Sequence, residues 1–173
     1  MDEVTAPEHG GVSVAAGGPV AADDVRRLLR RYATTVTVVT AVVDRDPVGF
    51  TATSFTSVSL CPPLFSFCLH LSSSCWPAFA AAEHVGVHLL AAEQSDVART
   101  FATRGIDRFA STRWRPGPYD VPLVEGALAW MVGRVTARIT AGDHAIVLAE
   151  PLAGEHAEGR PLLYHDGRYT ALA

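Results

Sequence analysis

The chain contains no lysine: all 14 of its basic side chains, histidine aside, are arginine. A lysine Schiff base to pyridoxal phosphate and the lysine of a P-loop are therefore excluded. Any phosphate must be met by hydroxyls, backbone N–H groups or guanidinium. Positive charge is not in surplus either. The formal net charge of −4 over 173 residues leaves no basic footprint, which argues against nucleic acid as the main partner. No GxGxxG stretch occurs, so no Rossmann dinucleotide site is expected. The three cysteines, Cys61, Cys68 and Cys75, form no CxxC pair, and an odd count fits a reducing cytoplasm. Cys68, on a strand, is expected to pack as a small apolar residue. The start, Met1-Asp2-Glu3, has neither the basic n-region nor the apolar core of a secretory signal. No uninterrupted apolar run reaches bilayer length. A cytoplasmic protein with no membrane partner is expected.

What is present is a run of hydroxyls. Gly49 to Pro63 reads GFTATSFTSVSLCPP and carries Thr51, Thr53, Ser54, Thr56, Ser57 and Ser59. Its apolar phase breaks midway: Phe50 and Ala52 are even, Phe55 is odd, and Val58 and Leu60 are even again. A half-buried strand keeps one phase, because a slip of one residue sends every side chain to the other face. The break predicts a bulge or bend, where N–H groups leave the ladder and become available to a ligand. Hydroxyls beside free amides suit a flat, polar-edged cofactor with a phosphate tail. The plainer alternative is a Thr/Ser-rich edge strand facing water.

At this length a single domain is the default, and it can bury a core without disulfide or metal. Residues 1–20 are Gly-, Ala- and Pro-rich without period and read as a flexible tail, leaving residues 21–173 as the domain. Asp23 is expected to cap a helix through Tyr32 with Val25, Leu28, Leu29 and Tyr32 as its apolar stripe. Val36 to Val43 is β-branched and closes at Asp44-Arg45-Asp46-Pro47. Leu64 to Leu71 alternates, with Phe65, Phe67, Leu69 and Leu71 on one side and Ser66, Cys68 and His70 on the other. Trp76 to Glu83 reads as a short helix, and His84 to Ala91 as a strand. Ser95 is expected to cap a helix through Thr103, with Val97, Ala98 and Phe101 buried. Arg104 to Val121 is loop-like. Val132 to Ile139 alternates, with Val135, Ala137 and Ile139 inward. His144 to Leu152 is a strand, and Pro161 to Leu172 a hairpin turning at Asp166-Gly167. Strands with short helices between them predict a mainly β fold built as a barrel with helical additions.

The order GFTATSFTSVSL-x-PPL, then Ser72-Ser73-Ser74-Cys75-Trp76, then Gly142-Asp143-His144, then PLLYHDGRY resembles the short-chain flavin reductase family, from about Val25 to the end. These NAD(P)H:flavin oxidoreductases feed reduced flavin to two-component monooxygenases. The resemblance implies a split β-barrel, a homodimer with flavin near the subunit interface, and a partner monooxygenase. It implies FMN, with FAD as the alternative, and NADH or NADPH as donor. Thr51, Ala52, Thr53, Ser54, Ser57, Val58 and Ser59 match the family's flavin strand and turn. Ser72, Ser73, Ser74 and Trp76 match its phosphate loop, where Ser74 would also serve as a helix N-cap. A frequent version of the motif reads T-A-N-x-F; here Thr53 puts a short hydroxyl in place of the amide.

His144 is the histidine that the resemblance sets near the nicotinamide. Hydride transfer needs two stacked rings rather than an acid, so His144 is expected to position the nicotinamide or protonate reduced flavin afterwards. Asp143 is expected to orient the imidazole, the alternative being a turn-forming Gly-Asp. His84 and His88 share a strand face without a third ligand, so no metal site is expected. His88 falls where relatives often carry a polar residue near the flavin. Phe101, Arg108 and Phe109 match segments that close over it. Two rivals remain at this point. One is a barrel that keeps flavin as a prosthetic group and acts directly on a small molecule. The other is a non-catalytic flavin- or haem-binding module. Flavin retention through gel filtration would favour the first, and complete absence of redox turnover the second.

Overall fold

A computed structural model describes residues 18–172; most of the tail expected over residues 1–20 lies outside them. The described chain is mainly β with three short α-helices: α1 (Ala22–Leu29), α2 (Trp76–Ala81) and α3 (Ser95–Ala102). The principal sheet is antiparallel and seven-stranded. Along its hydrogen-bonded order run β3 (Asp46–Ala52), β2 (Thr37–Val43), β6 (His84–Leu89), β9 (Ala129–Ala141), β10 (His144–His156), β5 (Pro63–His70) and β4 (Thr56–Leu60). Beside it lie a three-stranded sheet of β1 (Thr34–Thr35), β11 (Leu162–His165) and β12 (Arg168–Ala171), and a ribbon of β7 (Trp114–Pro116) and β8 (Pro122–Val124).

The chain's order forces this sheet to roll. β3 and β4 are its two edges, yet only Thr53, Ser54 and Phe55 separate them. Four Cα steps span at most about 14 Å, whereas six strand spacings in a flat sheet would need about 29 Å. The edges must therefore come together. Ser54 seals the meeting point, its hydroxyl accepting from the Cys68 N–H at 2.9 Å and donating to the Cys68 carbonyl at 3.3 Å. The hydrogen-bonded order itself stays open at β3 and β4. The predicted break in phase falls here: the ladder stops at Ala52, restarts at Thr56, and slips again between Ser57 and Ser59.

Rolling encloses the main core. Val39, Phe50, Phe65, Phe67, Val85, Val87 and Val147 point inside, and Phe79 of α2 plugs the space. Phe79 meets Phe50 and Phe67 edge-on, at 5.1 and 6.0 Å between ring centres, the geometry aromatic quadrupoles favour. Arg138 fastens α2 by donating to the Phe79 carbonyl at 2.9 Å and to that of Ala82, which satisfies carbonyls a helix end leaves open. A second layer covers the outer face of β2, where Val36, Val38, Leu90, Ala98, Phe101, Phe109 and Leu162 cluster.

Several expectations need correcting. Ala21, not Asp23, occupies the first cap, and Asp23 instead pairs with Arg26. Among the described residues, the stripe Val25, Leu28, Leu29 and Tyr32 meets no core and stays exposed. α3 starts at Ser95 with Gln94 as its cap residue. The Gln94 amide is used across the loop instead, accepting from the Ala91 N–H and donating to the Glu125 carbonyl. Arg104 to Val121 contains β7, which pairs with β8. Ile139 is half exposed rather than inward, because the end of β9 projects past the core. Cys75 is the buried cysteine, and Cys68 is only partly covered.

His88 is fully buried. It sits on the face of β6 opposite the main core, near Thr40 and Val121, where Gly86 leaves room for it. Its Nδ1–H donates to the Val38 carbonyl at 3.0 Å, while Nε2 has no partner. Burial, opposed by the Val38 bond, pushes its pKa down to about 4. The unfolded chain, with an ordinary histidine, therefore binds a proton in the window from about 6.5 to 4 that the native state refuses, so stability falls as pH drops. We predict a native state roughly 2 kcal/mol less stable at pH 5 than at pH 8 from this group. Urea titrations at the two pH values check it. His88→Gln, which keeps a donor toward Val38, should flatten the difference, and an unflattened profile would assign it elsewhere.

Candidate functional site

Where the two sheet edges meet, a cleft of about 270 Å³ opens between β3, β5, the β5–α2 turn and the end of α3. It is chosen on its chemistry. A groove of about 450 Å³ beside the β2–β3 turn is larger and carries Trp114 and Tyr119, but its one arginine, Arg45, stands with the carboxylates Asp44 and Asp120. The cleft here presents Arg104, Arg108, Ser73, Ser74, Thr51, His70 and His144, with no carboxylate on its lining, over the buried Phe50, Leu69 and Phe101. Cationic and hydroxyl donors without a carboxylate among them suit an anionic ligand.

Each wall has a local cause. Gly49 and Thr51 lie on the outer face of β3, against α3. A Cβ on Gly49 would stand 2.8 Å from the Phe101 ring and 3.0 Å from the Val39 carbonyl, so only glycine lets the ring lie on the strand. Thr51 hooks the helix by donating its hydroxyl to the Ala98 carbonyl at 2.6 Å. Phe109 supports Phe101 edge-on at 5.1 Å. Arg108 crosses underneath, donating to the Gly49 carbonyl at 2.8 Å and the Thr103 carbonyl at 3.0 Å and touching Cys75 Sγ.

The opposite wall comes from a turn. β9 and β10 are joined by Gly142-Asp143, with Gly142 at a φ of 62°, and glycine at the first position is what a type II′ hairpin turn demands. The turn delivers Asp143 beside His144, whose Nδ1–H donates to Asp143 Oδ1 at 2.6 Å. That hydrogen bond, with the charge attraction of His144 and His70 behind it, holds the Asp143 carboxyl below the usual carboxylate range. Both Asp143 and His144 remain open to solvent.

Of the residues expected from sequence, Thr51, Ser73, Ser74, Phe101, Arg108 and His144 line one cleft. Asp143 holds His144 and Phe109 backs Phe101. Ala52 is buried and Thr53 exposed at the end of β3, and Ser54 is engaged with the β5 backbone. Ser72 is exposed and bonds His70, while Trp76 packs on the core. Cys75, not Ser74, holds the α2 cap position. Ser57, Val58 and Ser59 lie along the β4 edge outside this cleft. His88 does not join the site; it is sealed on the far side of β6. The sequence reading missed His70, Cys68 and Arg104. His70 and Cys68 did carry a signal, the outward phase of β5 running into the serine turn.

Residues 29–173 match the model of the flavin reductase like domain. An NADH:FMN oxidoreductase of Rhodococcus qingshengii is 42% identical over 157 residues, covering 87% of this chain and 81% of that protein. The reductase subunit HsaB of a flavin-dependent monooxygenase from Mycobacterium tuberculosis is 38% identical, covering 85% and 80%. The structure of the Streptomyces globisporus NADH:FAD oxidoreductase SgcE6 with NAD and FAD fragments superposes with a TM-score of 0.83 at 33% identity, covering 87% and 92%. The chain belongs to the flavin reductase-like family.

The contact between Gly49 and Phe101 is open to test. Gly49→Ala should cost about 1–3 kcal/mol as the ring and α3 are pushed off the strand. A lowered urea midpoint would report it, and an unchanged one would mean that the wall yields freely.

Proposed function

We propose that the protein is an NAD(P)H-dependent flavin reductase that reduces FMN at this cleft and hands the reduced flavin to a partner monooxygenase. The observation that carries the reading is the lining itself: two arginines, hydroxyls and two part-exposed histidines, with no carboxylate among them. The relatives named for FMN and NADH support FMN as acceptor and NADH as donor, with FAD and NADPH as alternatives.

Bound flavin would supply the two-electron acceptor for a reduced nicotinamide. The chain's own residues would do the rest. Ser73 and Ser74, with Ser72 beside them and Arg104 and Arg108 across the cleft, would hold phosphate, as a lysine-free chain must. Thr51, Ala52, Thr53 and Ser54 would offer amides and hydroxyls to the ring edge where the β3 ladder ends. Phe101, buried against Gly49, would back the cleft wall. His144, oriented by Asp143, would hold the nicotinamide in place or deliver a proton from Nε2. Its contribution is positional, since two rings must be kept within contact distance.

Three structural statements belong to the same proposal. The rolled seven-stranded sheet is a split β-barrel. Residues 21–173 are its single domain, acting in the cytoplasm. The working unit is a homodimer. The cleft of one chain is small beside typical cofactor sites of about 300–1,000 Å³, and among the described residues Leu28, Leu29 and Tyr32 present an exposed apolar face. A second copy would complete the former and cover the latter. Ser57, Val58 and Ser59, on the exposed β4 edge, would reach flavin only in that assembly.

The test is NADH oxidation by desalted protein, followed at the nicotinamide absorbance band with and without added FMN. Turnover should require FMN and saturate with it. His144→Ala should lower kcat/KM for NADH by about tenfold or more while FMN binding persists. Absence of FMN-dependent oxidation would remove the reading.

A further inference from the structure

We infer that His70 is a positioning residue that acts through Asp143 to leave the Nε2 atom of His144 as the cleft's sole proton-exchanging ring nitrogen. The functional part rests on the reading of the cleft as the nicotinamide-facing site. The tautomer assignment rests on geometry alone.

β5 and β10 run antiparallel with His70 directly opposite His144, and the two rings meet edge-on at 4.8 Å. Asp143 reaches both. Its Oδ1 accepts from His144 Nδ1 at 2.6 Å, and its Oδ2 lies 3.3 Å from His70 Nε2. The other side of His70 is committed as well. Its Nδ1 takes the Ser72 backbone N–H at 3.0 Å and lies 2.9 Å from the Ser72 hydroxyl. A backbone N–H can only donate, so Nδ1 of His70 carries its lone pair. The ring's proton is therefore on Nε2, facing Asp143. An ionised carboxylate can only accept, so His144 faces it with Nδ1–H and keeps a lone pair on Nε2.

The two imidazoles consequently hold opposite tautomers, and they differ in what a second proton would do. On His70 it would have to go to Nδ1, where the Ser72 N–H could no longer donate to the ring. On His144 it would go to Nε2 and break nothing. The charged and titratable groups around the pair are Asp143 from the hairpin turn and Arg104 and Arg108 across the cleft. No carboxylate on the cleft lining competes for the proton. Leu71 N–H donates to the Asp143 carbonyl at 2.9 Å, which ties the serine turn and the hairpin turn together and keeps the trio in register.

The experiment is long-range ¹⁵N–¹H correlation spectroscopy of histidine-labelled protein at pH 8, without flavin or nucleotide, with the seven histidines assigned by substitution. Wild type should show His70 protonated only on Nε2 and His144 only on Nδ1. His70→Phe, which keeps a ring but has no nitrogen, should turn His144 into a mixture of tautomers. It should also lower kcat at saturating NADH and FMN by about fivefold, the scale of one lost polar contact. His70→Gln restores a donor at the Nε2 position and should recover turnover to within about twofold of wild type. The inference is overturned if either histidine shows the other tautomer or a mixture in wild type. It is equally overturned if His70→Phe leaves both the His144 tautomer and turnover unchanged. Should His70→Phe fail to fold, the wild-type tautomers and the His70→Gln turnover decide alone. Inactivity toward NADH and FMN with the expected tautomers would sink the functional reading and leave the placement of His70 standing.

Discussion

The passage from β3 to β4 is the constraint on which the molecule depends. Adjacent in sequence but at opposite edges of a seven-stranded ladder, these strands cannot coexist with a flat sheet, because three intervening residues are too short to cross it. The sheet rolls, and Ser54 fixes the junction by engaging both backbone groups of Cys68. Two consequences follow at once. The inward faces of β2, β3, β5, β6 and β10 close on one aromatic core. Outside that core, the ends of β3 and β5 are left side by side, with backbone groups that no neighbouring strand covers.

The cleft is a product of that junction rather than a separate invention. α3 can dock on β3 only because Gly49 has no side chain and Thr51 has a hydroxyl to give. The hairpin turn at Gly142-Asp143 can reach the cleft only because β10 pairs with β5 in a register that sets His144 against His70. In place of lysine the cleft carries serines in the turn before α2 and arginines in the segment after α3, the groups proposed to hold phosphate. Family membership points to a flat ring system with an anionic tail, and the lining suits the anionic part.

How far the sequence could be read follows the same physics. Leu64 to Leu71 was legible because one face of β5 lies on the core, so period-2 alternation survives in its residues. The break at Thr53–Phe55 was visible for the same reason. The turns at Asp44-Arg45 and Asp166-Gly167 were also legible, since both place consecutive residues at positive φ. Non-local facts were not. Nothing local says that His70 opposes His144, and a strand pattern for β6 does not reveal that its second face is also covered, which is why His88 looked like a site residue and proved to be buried. Caps were misplaced at Asp23, Ser74 and Ser95, where acidic or hydroxyl side chains stand one or two positions from the true cap residue. The resemblance to a family supplied roles that pattern alone could not.

The most direct test of the central claim, that the edge junction is the flavin site, is a titration of FMN into ¹⁵N-labelled protein with the amide spectrum assigned. The account predicts that shifts concentrate at Thr51 to Ser54, at Ser72 to Ser74 and at Arg104 and Arg108, with the signals of His88 and its neighbours unmoved. Shifts gathered instead around Trp114 and Tyr119, in the larger groove beside the β2–β3 turn, would contradict it.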